Sequence, residues 1–311
     1  MLVIGIGPGS LAEVMFNRFT KECGMGNRIH LGMTLVLCFS SMLAHAGELS
    51  IRETVIIGAG TPVPGVNGAT FESVGVTARP ISPPASDDGA VMFWGEYLDP
   101  NNNVPAYGIF RHSADGSMER LVDTTMIMPG KGETFEDITE FSTNEGNGAF
   151  LGARYSDGSF EGVYRVVNGN LQVVADPTIS LPGLSSPAQN FWHPIIEGDR
   201  IAFVTEPGIF QWQSGVLEPM VLTSELIPGR SDTFQGGFGN ITFDHGDLRF
   251  LGLGPSLGTG NWHDMYEGIF TKTASDLFTV ADVLTPIPGG TGNFLTFGAM
   301  DHCGGTTFGF S

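Results

Sequence analysis

A Pro-Gly unit recurs five times along the chain, as TPVPG (Thr61 to Gly65), MIMPG (Met126 to Gly130), ISLPG (Ile179 to Gly183), ELIPG (Glu225 to Gly229) and TPIPG (Thr285 to Gly289). A second unit, glycine followed by a β-branched residue and an aromatic, recurs at Gly108-Ile109-Phe110, Gly162-Val163-Tyr164, Gly208-Ile209-Phe210 and Gly268-Ile269-Phe270. From the glycine of the second unit to the next Pro-Gly glycine the spacing is 22, 21, 21 and 21 residues, whereas from each Pro-Gly to the next second unit it is 43, 32, 25 and 39. One half of the period is fixed and the other absorbs loops. Between the two lies a glycine turn that leads into a strand, as DDGAVMFWG, EGNGAFLG, EGDRIAFV, HGDLRFLG and CGGTTFGF. Three motifs in fixed order are the signature of a repeat architecture.

Within one unit, residues 135 to 183, the pattern reads as four short strands: Asp137 to Ser142, Ala149 to Arg154, Gly162 to Val167 and Leu171 to Asp176. They are β-branched or aromatic and separated by turns such as Ser156-Asp157-Gly158 and Asn168-Gly169. Four antiparallel strands per repeat of 46 to 65 residues is blade arithmetic, and radial repetition of such sheets makes an all-β propeller. Four units are complete. A fifth starts at Pro288-Gly289, offers Leu295 to Met300 and Thr306 to Phe310, and ends at Ser311. The stretch Glu53 to Gly58, which precedes TPVPG as Leu277 to Ala281 precedes TPIPG, is expected to complete that blade and close a five-bladed ring. The alternatives are a fragment of a longer propeller and a β-sandwich, whose strands need not repeat in sequence.

Composition agrees with this reading. The chain has 45 Gly and 19 Pro in 311 residues, which supply tight turns, while 41% hydrophobic residues argue against disorder. The net charge of −19 with no basic stripe argues against nucleic acid as a partner.

Residues 28 to 46 read RIHLGMTLVLCFSSMLAHA: a basic residue, an apolar run from Leu31 to Leu43 and Ala44-His45-Ala46 before Gly47. This is the order of a secretory signal, and the run is shorter than the roughly 20 residues a membrane span needs. Residues 1–46 are therefore read as a signal region, with translation expected to begin at Met25 and residues 1–24 upstream of it, and residues 47–311 as one propeller domain. No membrane span is expected after cleavage, and the localisation is secreted or cell surface. Behind the cut only Cys303 remains, so no internal disulfide is available.

Several motifs imitate chemistry. Val3-Ile4-Gly5-Ile6-Gly7-Pro8-Gly9 and Val55-Ile56-Ile57-Gly58-Ala59-Gly60-Thr61 resemble dinucleotide loops. The first has the wrong glycine spacing, and Pro62 and Pro64 forbid the helix that the second would need. Asp244-His245 and Asp301-His302 fall at matching repeat positions, where a metal pair competes with ordinary turn chemistry. Glu96 and Glu206 also fall at matching positions, and a carboxylate pair could act on a glycosidic bond. Trp94, Trp192, Trp212 and Trp262 could stack on sugar rings or fill the space between blades. None of these is assigned as a catalytic, cofactor or metal site.

The TPIPG, GIF and AFxG repeats resemble those of bacterial secreted proteins of uncharacterised function, often found with a C-terminal sorting anchor of the PEP type. The resemblance covers about residues 53 to 311 and implies no activity and no functional residues. The chain ends at Phe310-Ser311 without such an anchor, so surface attachment is not carried over. The expectation is an exported, non-catalytic β-propeller that binds an extracellular ligand, a glycan or surface component, or serves a structural role. The alternative is a hydrolase or lyase acting on polysaccharide.

Overall fold

The computed structural model describes residues 3–5, 52–54, 57–75, 86–87, 90–154, 160–184, 187–258 and 265–297. The chain divides into two compact units, Met1–Gly58 and Ala59–Ser311. In the first, β1 (Val3–Gly5) pairs antiparallel with β2 (Arg52–Thr54). The strand expected to complete the last blade is thus paired elsewhere along Arg52–Thr54. Val3, Ile4 and Gly5 stand opposite Thr54, Glu53 and Arg52 in that pair.

The second unit holds four antiparallel meanders. The first sheet contains β3 (Phe71–Val74), β4 (Ser86–Asp87), β5 (Ala90–Leu98), β6 (Pro105–His112) and β7 (Met118–Asp123), in the order β3-β5-β6-β7 with β4 also pairing β5. The second has β8 (Asp137–Asn144), β9 (Asn147–Arg154), β10 (Phe160–Val167) and β11 (Asn170–Ala175). The third has β12 (Phe191–Glu197), β13 (Arg200–Thr205), β14 (Gly208–Gln213) and β15 (Val216–Leu222). The fourth has β16 (Gly237–Asp244), β17 (Asp247–Ser256), β18 (Met265–Lys272) and β19 (Leu277–Asp282). The four strands expected between residues 137 and 176 are all present, and Asn168-Gly169 makes its hairpin turn with positive φ at both residues. The Ser156-Asp157-Gly158 turn lies outside the described residues.

Successive sheets pack face to face. One apolar layer joins the first sheet (Met92, Trp94, Ile109) to the second (Ile138, Phe141, Phe150). Another joins the second (Leu151, Val163) to the third (Phe203, Phe210), and another the third (Val204, Ile209) to the fourth (Phe234, Phe250). The first strands of these sheets, β8, β12 and β16, lie side by side. Sequential four-stranded meanders stacked through their faces, first strand beside first strand, are the blades of a β-propeller.

The repeated motifs now have physical causes. Each blade carries a stacked aromatic pair from its second and third strands: Phe93–Phe110, Phe150–Tyr164, Phe203–Phe210 and Phe250–Phe270, with centroids 5.5–6.2 Å apart. In three blades a further ring stands edge-on to that pair, at 87° for Phe71–Phe110, 88° for Phe135–Tyr164 and 88° for Phe234–Phe270. That ring lies over Gly95, Gly152 or Gly252, where any Cβ would overlap it, so the AFxG glycine is a space requirement. The glycine of the GIF unit has the same kind of cause. At Gly108 and Gly208 a Cβ would strike the carbonyl of Val122 or Val221 on the outer strand, beside a bulge that recurs in all four blades.

The outward face of the fourth blade has no described neighbour. Val280, the bulged residue of β19, is 43% exposed, whereas its equivalents Leu121 and Val174 are each 2% exposed. The fifth connector is formed, with Pro286 bridged to Asn293. Of the expected fifth-blade strands, Leu295 to Phe297 is irregular, and residues 298–311 lie outside the described residues.

Candidate functional site in a cleft between the third and fourth blades

In three blades an aspartate closes the outer strand and ties down the connector that follows. Buried Asp123 accepts hydrogen bonds from the Tyr97 hydroxyl (2.6 Å), Arg120 Nη1 (2.9 Å), Thr125 N (2.9 Å) and Thr125 Oγ1 (2.7 Å). Asp176 accepts from Thr178 and pairs with Lys131 at 3.0 Å. Asp282 accepts from the Tyr266 hydroxyl (2.8 Å), Thr285 Oγ1 (2.8 Å) and Leu284 N (3.0 Å). The tyrosine reaches its aspartate from either of two facing strands. Tyr97 on β5 stands opposite Ala106, and Tyr266 on β18 lies against Gly254 of β17.

Electrostatics mark these as structural hubs. Burial, with the hydrogen bond to Asp123, pushes the Tyr97 phenol up to about 12. Tyr266 is raised by burial and then by Asp282. Burial alone would raise Asp176, but hydrogen bonds from Thr178 and Lys131 together outweigh it and hold that carboxyl below the ordinary range.

The third blade breaks the pattern at every one of these positions. Leu222 replaces the aspartate, and the connector is held by Glu225, which accepts from Leu222 N at 3.0 Å. Thr205 replaces the spacing glycine, and the third ring, Phe191, lies at 51° to Phe203, where the matching pairs Phe71–Phe93, Phe135–Phe150 and Phe234–Phe250 stand at 64–71°. Pro207 stands where the first blade has Tyr107 and the fourth Glu267. Each of those reaches the next connector: the Tyr107 hydroxyl lies 2.6 Å from the Glu136 carbonyl, and Glu267 accepts from Thr296 Oγ1 (2.8 Å) and Phe297 N (3.2 Å). Proline can make no such strut. The loop between second and third strands is also only Glu206-Pro207, against Asp99–Val104 in the first blade.

Together these changes open a cleft of about 740 Å³ between the third and fourth blades. Its walls are Trp192 and His193 of β12, Val204 and Thr205 of β13, Glu206, Thr223-Ser224 beyond β15, and Gln235 to Phe238 at the start of β16. Trp192 is 36% exposed. Thr205 is 2% exposed, and its Oγ1 has no hydrogen-bond partner. Glu206 Oε1 accepts from Asn190 Nδ2 at 2.6 Å. His193 sits at an inner-strand bulge with φ of 51°. Its backbone N–H donates to Glu140 Oε2 of the second blade (2.5 Å), and its Nδ1 lies 3.4 Å from the same oxygen. The same positive φ recurs at the inner-strand bulges of the neighbouring blades, at Glu140 and Asn240, so it is a feature of the repeat and is not peculiar to the cleft.

The residues singled out from sequence separate here. Glu206 lines the cleft, but Glu96 lies in the first blade, bonded to Ser73 at 3.1 Å, and is not among the cleft residues. A two-carboxylate glycosidase site built on this pair is therefore not assembled around the cleft. Trp94 and Trp212 are buried between blades, and Trp192 alone of the described tryptophans faces the cleft. His245 is fully solvent-facing, 3.8 Å from an Asp244 already paired with Arg249, while Asp301, His302 and Trp262 lie outside the described residues. Among the described residues no cluster of three metal-ligating side chains is present, and no helix is long and apolar enough to cross a membrane. Gly60 opens the first connector with positive φ and donates its N–H to Phe71 O, a turn in place of a nucleotide loop. Thr205, His193 and Gln235 were not anticipated. The available signal was the threonine in AFVT, where the other blades read glycine.

Residues 46–309 match a protein family across nearly the whole repeat region. The chain belongs to DUF7453, a family of unknown function. No curated protein matches the sequence. Three solved structures are distantly similar to this DUF7453 chain. The mannose phosphorylase MPT-4 from Leishmania mexicana shares 12% identity at a TM-score of 0.29, over 79% of this chain and 77% of that one. The β-propeller domain of the Trilobed protease from Pyrococcus furiosus shares 13% at 0.34, over 64% and 70%. The sialidase of Trypanosoma rangeli shares 11% at 0.33, over 80% of this chain and 43% of its own length.

Proposed function

We propose that this DUF7453 protein is an exported, non-catalytic β-propeller that binds a glycan in the cleft between its third and fourth blades. The observation that carries the reading is the coincidence of that cleft with the one blade in which the structural consensus is abandoned. Threonine in place of the spacing glycine, leucine in place of the hub aspartate and proline in place of the strut each remove a feature that serves the fold elsewhere. Departures from local consistency are where function is expected to lie. An exposed indole beside a carboxylate, an amide and several hydroxyls suits a sugar ring, whose apolar face stacks while its hydroxyls are bonded at the edge. Export is supported by the signal-like segment 28–46 and by a family match that begins at Ala46.

A glycan array probed with the full chain tests the binding claim. Retention on defined oligosaccharides, lost in Trp192→Ala, is expected; retention unchanged by Trp192→Ala would move the site elsewhere. N-terminal sequencing of secreted material tests export, with Gly47 as the expected first residue.

A further inference from the structure

Resting on the glycan-binding reading, we propose that the cleft selects oligosaccharides that carry free, protonated amines, such as glucosamine oligomers, over neutral or acidic ones. Among its lining residues Glu206 is the only carboxylate, and none is lysine or arginine. Among the described residues Glu206 has no ion-pair partner. Some blade carboxylates are ion-paired, as Asp176 with Lys131, Asp199 with Arg165 and Asp232 with Arg230, and others, such as Glu96 and Glu267, have neutral partners as Glu206 does; what distinguishes Glu206 is its place on the wall of the cleft. Glu206 has a neutral partner, Asn190, which occupies Oε1 and leaves Oε2 without a partner among the described residues.

An unpaired carboxylate beside a half-open aromatic wall is the chemistry that holds an ammonium group. The carboxylate attracts it, and an indole face gains from a nearby cation. Trp192 supplies the indole. Thr205 adds a hydroxyl that is more than nine-tenths buried, lines the same cleft and has no partner. The Oγ1 itself is closed to solvent, so Thr205 shapes the wall of the cleft, and recognition of the amine falls to Glu206 and Trp192. Uronic and sialic acids would meet Glu206 with like charge, and the net charge of −19 adds to that repulsion.

The test is calorimetric titration of the full chain with tetramers of glucosamine, N-acetylglucosamine and glucose, with spermine as a polyamine that lacks a sugar ring. The expected result is at least about tenfold tighter binding of the glucosamine tetramer than of the other two sugars, with spermine weaker still. Glu206→Gln should erase the preference while residual sugar binding persists, and Trp192→Ala should remove binding of all three sugars. Equal affinity for neutral and amino sugars, or a preference that survives Glu206→Gln, would overturn the amine selection and leave the glycan reading standing. Spermine binding as tightly as the tetramer, with Trp192→Ala inert, would also overturn it, because diffuse charge would then account for the signal. No binding of any sugar would overturn both.

Discussion

The clefts at the first-to-second and third-to-fourth blade junctions share the positions that follow the outer strand, Thr124-Thr125 and Thr223-Ser224, and the position after the third ring, Glu136 and Gln235, yet one measures about 350 Å³ and the other about 740 Å³. At the first junction the loop Asp99–Val104 overhangs the gap, and Tyr107 spans it to the Glu136 carbonyl. Below it, Asp123 gathers Tyr97, Arg120 and Thr125. At the third junction a two-residue turn, a proline and a leucine stand in those places. The difference teaches that the blade is an adjustable frame. Its aromatic layer is kept in both places, while the polar struts are retained where the junction only has to hold and dropped where it opens.

The largest expected effect comes from forcing the first junction to resemble the third. Asp123→Leu leaves Arg120 and the Tyr97 hydroxyl without their buried acceptor, and should cost about 3–5 kcal/mol of unfolding free energy in urea titration. A loss under about 1 kcal/mol would show that the hub is ornamental. The same hubs give a pH signature. Asp176 is held below the ordinary carboxylate range, so its contribution is complete above about pH 4 and is lost as pH falls through its folded value. Tyr97 is raised, so its contribution is complete below about pH 10 and is lost as pH rises toward about 12. Urea midpoints across both windows check the two signs, and a flat profile would contradict them.

Next in size is Gly95→Thr, which places the third blade's threonine beneath the edge-on Phe71 ring. Overpacking of this kind should cost about 2–3 kcal/mol. The fold was legible in the sequence to the extent that such steric needs leave a residue signature. The AFxG and GIF glycines, the following aromatics and the Pro-Gly turns were visible because each excludes other residues at a repeated position. The pairing of Arg52–Thr54 with Val3–Gly5 was not legible, because a lone apolar strand carries no label for its partner. The site was half legible. Glu206 and Trp192 stood out as residue types, but the cleft that joins them depends on what Thr205, Pro207 and Leu222 are not; the threonine was visible against the repeat's glycine, and its consequence shows only when blades are compared in space. Glu96 misled for the converse reason, since equivalence in the repeat places residues in different blades.

A smaller effect with a distinctive sign is expected from Thr205→Val. Removing an unpaired buried hydroxyl at constant shape should stabilise the protein by about 1 kcal/mol with sugar binding unchanged, a combination that thermal melts and calorimetry read separately. Destabilisation would mean that the hydroxyl has a structural partner. The smallest effect is that of Tyr107→Phe, which removes the hydroxyl shared between the Glu136 carbonyl and Asp137 Oδ1 of the next blade and should cost about 1 kcal/mol or less with sugar affinity unchanged.

Amide hydrogen exchange of the full chain with and without the glucosamine tetramer tests most directly that the broken blade is the binding blade. The account predicts added protection at Trp192–His193, Thr205–Glu206 and Gln235–Phe238, and none at Asp99–Tyr107. Protection at the first junction, or equal protection at both, would contradict it.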